Sequence, residues 1–131
     1  MIVRTCLCLV AGLLFAGVTG AQEFQPYEKP KISETEWQTY LIMVQSAHRD
    51  SEERIDAQHL LTFVDEERGI QWAFTTLGHP AHPSWIARRL VGEAGSQRIQ
   101  QVGYYAGSEP DFELWFRSVL DLTRQRETGQ R

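Results

Sequence analysis

Beyond its first eight residues the chain has no cysteine, and its whole length holds two lysines, two methionines and five prolines. Cys6 and Cys8 both fall in an N-terminal apolar run, so the remainder has no thiol for nucleophilic or redox chemistry and no disulfide to staple it. Packing alone must hold the domain together. Positive charge is sparse too: setting Arg4 aside, 12 Lys and Arg face 17 Asp and Glu, a net charge of about −5 with the histidines neutral. The arginines are scattered, which argues against a nucleic-acid partner and against a polybasic membrane patch. Phosphate-cradling loops are also missing. Gly92, Gly95, Gly103 and Gly107 are spaced as turn and strand-end glycines, with neither a P-loop lysine nor a dinucleotide fingerprint, and no cofactor is implied. No serine lies in a G-x-S-x-G elbow, and the acidic groups Glu52-Glu53 and Asp65-Glu66-Glu67 fall in segments that read as a solvated face or turn rather than a low-dielectric site.

The one long apolar run is at the N-terminus. Arg4 supplies a positive start, Cys6 to Val18 an apolar and small-residue stretch, and Thr19-Gly20-Ala21 a small-residue cleavage site before Gln22. A retained anchor wants about 20 apolar residues, more than this run offers. A lipoprotein wants its cysteine at the end of the run, whereas Cys6 and Cys8 stand at its start. Residues 1–21 therefore read as a cleaved signal peptide. The protein is expected to be exported, periplasmic in a Gram-negative bacterium and otherwise secreted, with membrane contact only through the uncleaved signal.

Residues 22–32, with two prolines and no periodicity, read as an extended leader that Phe24, Tyr27 and Ile32 tack to the body. Ser33 followed by Glu36 has the form of a capping box, and Trp37, Tyr40, Leu41 and Val44 then recur at helical spacing, which predicts a first helix with one core face. Residues 49–57 are charged, lack an apolar stripe and read as a solvated connection. His59 to Val64 and Ile70 to Thr76 flank the turn-forming Asp65 to Gly69, which predicts a hairpin with Leu61, Phe63, Ile70, Trp72 and Phe74 on one face. The Leu60-Leu61 doublet leaves the register of the first strand open.

Trp85 to Val91 and Gln97 to Tyr105 read as two more strands. Neither alternates cleanly, which implies that both faces are partly covered or that one meets a partner. Ser108, Pro110 and Asp111 open a last helix carrying Phe112, Trp115, Phe116, Val119 and Leu120. It is expected to end near Arg126, before a disordered tail at 127–131. The predicted fold is a single α+β domain over residues 33–126: N-terminal helix, four-stranded antiparallel meander and C-terminal helix, arranged as a two-layer sandwich.

The segment His79-Pro80-Ala81-His82-Pro83 is the most pointed local pattern. Each histidine precedes a proline, which pushes both backbones toward extended or polyproline II geometry. In a polyproline II turn the two imidazoles would project from one side, about 9 Å apart at Cα. So placed, they could share a metal, bind an anion or substrate, or form a proton-sensitive contact. The simplest alternative is a rigid connector whose histidines pack locally. Two fixed histidines fall short of a closed zinc site, although His59 would add a third if its strand ended beside the loop. Arg88 and Arg89, adjacent in a strand, must point to opposite faces; the simplest reading is an edge or snorkelling arginine, and the alternative is a guanidinium on a semi-buried surface that calls for a carboxylate or an anionic ligand.

The candidate ligand-binding residues are therefore His79, His82, Trp85, Arg88 and Arg89, with any metal unassigned. A non-enzymatic binding or accessory protein is the first functional expectation, with a protein partner or small ligand. A small-ligand or metal-binding domain centred on the histidine loop is the alternative, and self-association into a homodimer is the third.

Overall fold

Ser33 caps the first helix, α1 (Glu34–Ala47), in a computed structural model that describes residues 24–129; the expected signal peptide at 1–21 lies outside them. Ser33 Oγ accepts the Glu36 N–H at 3.0 Å, and Glu36 Oε1 accepts the Ser33 N–H at 2.9 Å. Those two bonds satisfy donors that a helix start otherwise leaves bare. Tyr40 and Val44, on the face expected to be core, are each 1% exposed.

The segment expected to be a solvated connection instead holds a 3-10 turn (Arg49–Ser51), a short strand β1 (Glu53–Ile55) and a second 3-10 turn (Asp56–Gln58). The remaining strands are β2 (Leu60–Asp65), β3 (Ile70–Thr75), β4 (Ser84–Val91) and β5 (Arg98–Tyr105), and all five form one antiparallel meander in chain order. The sheet thus has five strands rather than four. Glu53 and Arg54 are exposed, so β1 has no apolar alternation and exists through its pairing with Leu60, Leu61 and Thr62. The second helix, α2 (Glu109–Gly129), continues beyond the expected end at Arg126, through residues assigned to a tail.

The two helices lie on opposite faces of the sheet, which makes three layers where two were expected. Strand β4 shows why. Trp85 and Ala87 point to one face and Ile86 to the other, and all three are buried. On the α1 face, register sets Leu61, Phe74, Trp85 and Tyr104 in one row, with Phe63, Trp72 and Ala87 in the next. Phe63 and Phe74 are fully buried, each a contribution of about 1.5–3 kcal/mol from burial. Tyr40 stacks on Trp85 at 4.3 Å between ring centroids, and its hydroxyl accepts the Trp72 indole N–H at 3.1 Å. Burial pushes the Tyr40 phenol pKa up to about 12, so it stays protonated there.

On the other face Ile86, Tyr105 and Ala81 meet Phe112 of α2, with Trp115, Phe116 and Val119 packed alongside. Gly103 permits that approach: a Cβ there would lie 2.5 Å from Phe112 Cζ and 2.9 Å from Phe116 Cδ2. The leader does hold to the body, as Phe24 and Ile32 are buried. Tyr105 N–H donates to the Pro30 carbonyl at 2.8 Å and Ile32 N–H to the Tyr105 carbonyl at 2.9 Å, covering one end of the edge strand β5. Among the described residues no helix is long and apolar enough to cross a membrane.

Candidate functional site

The histidine segment folds as a turn rather than as polyproline II. His82 N–H donates to the His79 carbonyl at 3.1 Å, and Ala81 N–H donates to His79 Nδ1 at 3.0 Å. Because Nδ1 accepts, the neutral His79 ring carries its proton on Nε2. The His82–Pro83 peptide bond is cis. His79 sets its ring edge-on to Trp115 of α2, centroids 4.7 Å apart, while His82 lies edge-on to Trp37 of α1 at 5.2 Å. The two imidazoles therefore brace the two helices instead of projecting together from one edge. Thr75 Oγ1 lies 2.8 Å from His82 Nδ1 and also accepts the Ser84 N–H at 3.0 Å.

Burial lowers the pKa of both rings, with His59 and His82 adding to the effect on His79, while Thr75 and Glu34 oppose it at His82. Both are held toward the neutral form. His59 does end beside the loop: a Cβ on Gly78 would lie 2.9 Å from the His59 ring, and Gly78 sits at φ +103°, a conformation that suits glycine. Even so, no group of three or more His, Cys, Asp or Glu among the described residues is placed to hold a metal.

The remaining sequence candidates separate. Trp85 is fully buried in the α1 core, its indole N–H without a hydrogen-bond partner, and it offers no surface to a ligand. Arg89 turns to the α1 face, where it lies 4.5 Å over the Phe24 ring and donates to Gln100 Oε1 at 3.0 Å. Arg88 turns to the α2 face and donates to Thr123 Oγ1 and to Gln71 Oε1, each at 3.1 Å. Both partners are neutral. Both guanidinium groups are half-buried, one on each face of the sheet, and among the described residues neither has a carboxylate partner.

Arg88 lines a feature that sequence reasoning did not find. Because α2 packs over β4 and β5, through Gly103 and Ile86, the same face of β1 to β3 stays open beside the helix. A cleft of about 400 Å³ lies there, floored by Leu60, Thr62 and Ala73 and walled by Trp115, Val119 and Leu122. Arg88 and Arg126 are the only charged residues along it among the described residues. A second cleft of about 300 Å³, with Val64, Leu90 and Ile99 in its lining, adjoins the first and shares Gln71, Arg88 and Arg126 with it. His79 reaches this site only through its contact with Trp115. Two sequence signals point to the cleft in hindsight. In the Leu60-Leu61 doublet one leucine must face away from the α1 core, and the α2 stripe of Trp115 and Val119 continues to Leu122, which is 54% exposed.

Comparisons with protein-family models, with curated proteins and with solved structures give no match to this chain.

Proposed function

We propose that the protein is an exported, non-enzymatic binding protein whose ligand lies in the cleft between α2 and the open half of the sheet. The supporting observation is the cleft itself. A groove of about 400 Å³, lined by apolar side chains together with Gln58, Thr62, Gln71 and two arginines, falls in the size range of small-molecule sites, which run from about 300 to 1,000 Å³. Binding without catalysis is favoured by the surroundings. His79 spends a ring nitrogen on its own loop and His82 one on Thr75 of β3, and among the described residues the cleft lining carries no acid, histidine or thiol to move a proton or attack a bond. Export rests on the character of residues 1–21.

A neutral solvatochromic dye such as Nile red tests the reading. The wild-type protein is expected to bind it with a blue-shifted emission. Ala73→Trp, which fills the cleft from its floor, and Leu122→Glu, which places a charge on its wall, should each weaken binding at least about ten-fold with thermal stability kept. A wild-type protein that leaves the dye unbound, or folded variants that bind it equally well, would refute the cleft as a binding site.

A further inference from the structure

Resting on that reading, the geometry points to a ligand class: we infer that the cleft takes a free long-chain carboxylate, with its apolar chain along Trp115, Val119 and Leu122 and its anionic head on Arg88 and Arg126. Charge carries the argument. The chain as a whole is acidic, at a formal net charge of −4, yet among the described residues the lining of the main cleft has two arginines and no Asp or Glu. Among the described residues neither Arg88 nor Arg126 forms an ion pair. Arg88 is half-buried, its hydrogen bonds end on the hydroxyl of Thr123 and the amide of Gln71, and Arg126 is the like charge beside it. The adjoining cleft adds two acids and one arginine, Arg89: of the acids, Glu66 is exposed, and half-buried Asp65 is already engaged by Arg68 at 3.5 Å and His48 at 3.8 Å.

A semi-buried guanidinium without a counter-charge is costly, and a carboxylate is the anion whose planar pair of oxygens matches its fork. Burial and Arg126 together pull the Arg88 pKa below its usual range, the effect a bound anion would reverse. Length agrees with an extended chain. Trp115 and Arg126 are eleven residues apart on α2, about 16 Å at 1.5 Å per residue. The wall between them is apolar, so chain and head have separate places.

Titration calorimetry of the purified protein with octanoate, decanoate and dodecanoate, and with the matching alcohols, tests the assignment. Dodecanoate should bind about ten- to a hundred-fold tighter than dodecanol, the range for hydrogen bonds to a charged group. Each added methylene should tighten binding about four-fold. Arg88→Met should erase the preference for the carboxylate while leaving the alcohol bound, and Arg126→Gln, on the exposed end of α2, should reduce it without touching the fold. The preference should also shrink at high salt. Equal binding of dodecanoate and dodecanol, or a preference that survives in both variants, would overturn the assignment while Nile red binding still upheld the cleft. Failure of carboxylate, alcohol and dye alike would overturn both.

Discussion

Substituting Gly103 by alanine places one methyl group where α2 meets the sheet. The new Cβ would stand 2.5 Å from Phe112 Cζ, 2.9 Å from Phe116 Cδ2 and 3.1 Å from Phe112 Cε1, all well inside van der Waals contact. Phe112 has little room to retreat, because it is 6% exposed and held between Tyr105 at 5.1 Å and Phe116 at 5.7 Å. Overpacking of this kind costs about 1–3 kcal/mol, and removing a glycine from a strand interior returns about 0.5–1 kcal/mol. The difference spans about 0–2.5 kcal/mol, and two contacts under 3.0 Å place the expected net loss in its upper half, a fall in Tm of roughly 4–8 °C for each kcal/mol in a domain of this size. Thermal unfolding followed by circular dichroism measures it. Because the clash is with a ring, Phe112→Leu combined with Gly103→Ala should lose less than the two single losses added together. A Tm unchanged or raised by Gly103→Ala, or strict additivity in the double variant, would refute the close approach of α2 to β5 and with it the position of the cleft wall.

The lowered pKa values of His79 and His82 mean that the unfolded chain, whose histidines titrate near 6.5, takes up protons before the folded one does. Stability from these groups is therefore complete above about pH 6.5 and declines as pH falls from there toward the lowered folded values. Melting curves between pH 7.5 and pH 5 should show the decline, and His79→Gln with His82→Gln should flatten it; a wild-type Tm that holds steady would count against the buried placement of the rings. Thr75→Val should cost about 1–3 kcal/mol, since Thr75 Oγ1 accepts the Ser84 N–H at 3.0 Å and the variant leaves that buried donor bare. Ser84→Ala makes the contrast: its Oγ is buried without a partner, so chemical denaturation should find the protein as stable as before or slightly more so. A large loss from Ser84→Ala would show that the hydroxyl has a partner after all.

Much of the fold was legible from local chemistry. The Ser33 and Glu36 capping box, the three-and-four spacing in both helices and the alternation of Ile70, Trp72 and Phe74 each reflect forces acting within a few residues of one another. Strand β1 was not legible, because Glu53-Arg54-Ile55 has two exposed side chains and is a strand only by virtue of Leu60 to Thr62 beside it. The histidine loop was misread for a related reason. The steric rule for residues before proline describes an isolated segment, whereas here the His79 carbonyl and ring both accept turn hydrogen bonds and Trp37 and Trp115 receive the imidazoles.

By itself, then, the sequence determined the type and approximate extent of both helices and of four strands, the absence of cysteine beyond residue 8, and a β4 pattern that left open whether both sheet faces are covered or one meets a partner. The tertiary structure decided which helix answers which face. Helix α2 sits against Gly103 because that residue lacks a side chain, and its position over β4 and β5 leaves the β1 to β3 half open as a cleft. Arg88 and Arg126 share that cleft although 37 residues separate them in the chain. No local rule relates residues so far apart; the register of the sheet and the seat of the helix bring them together.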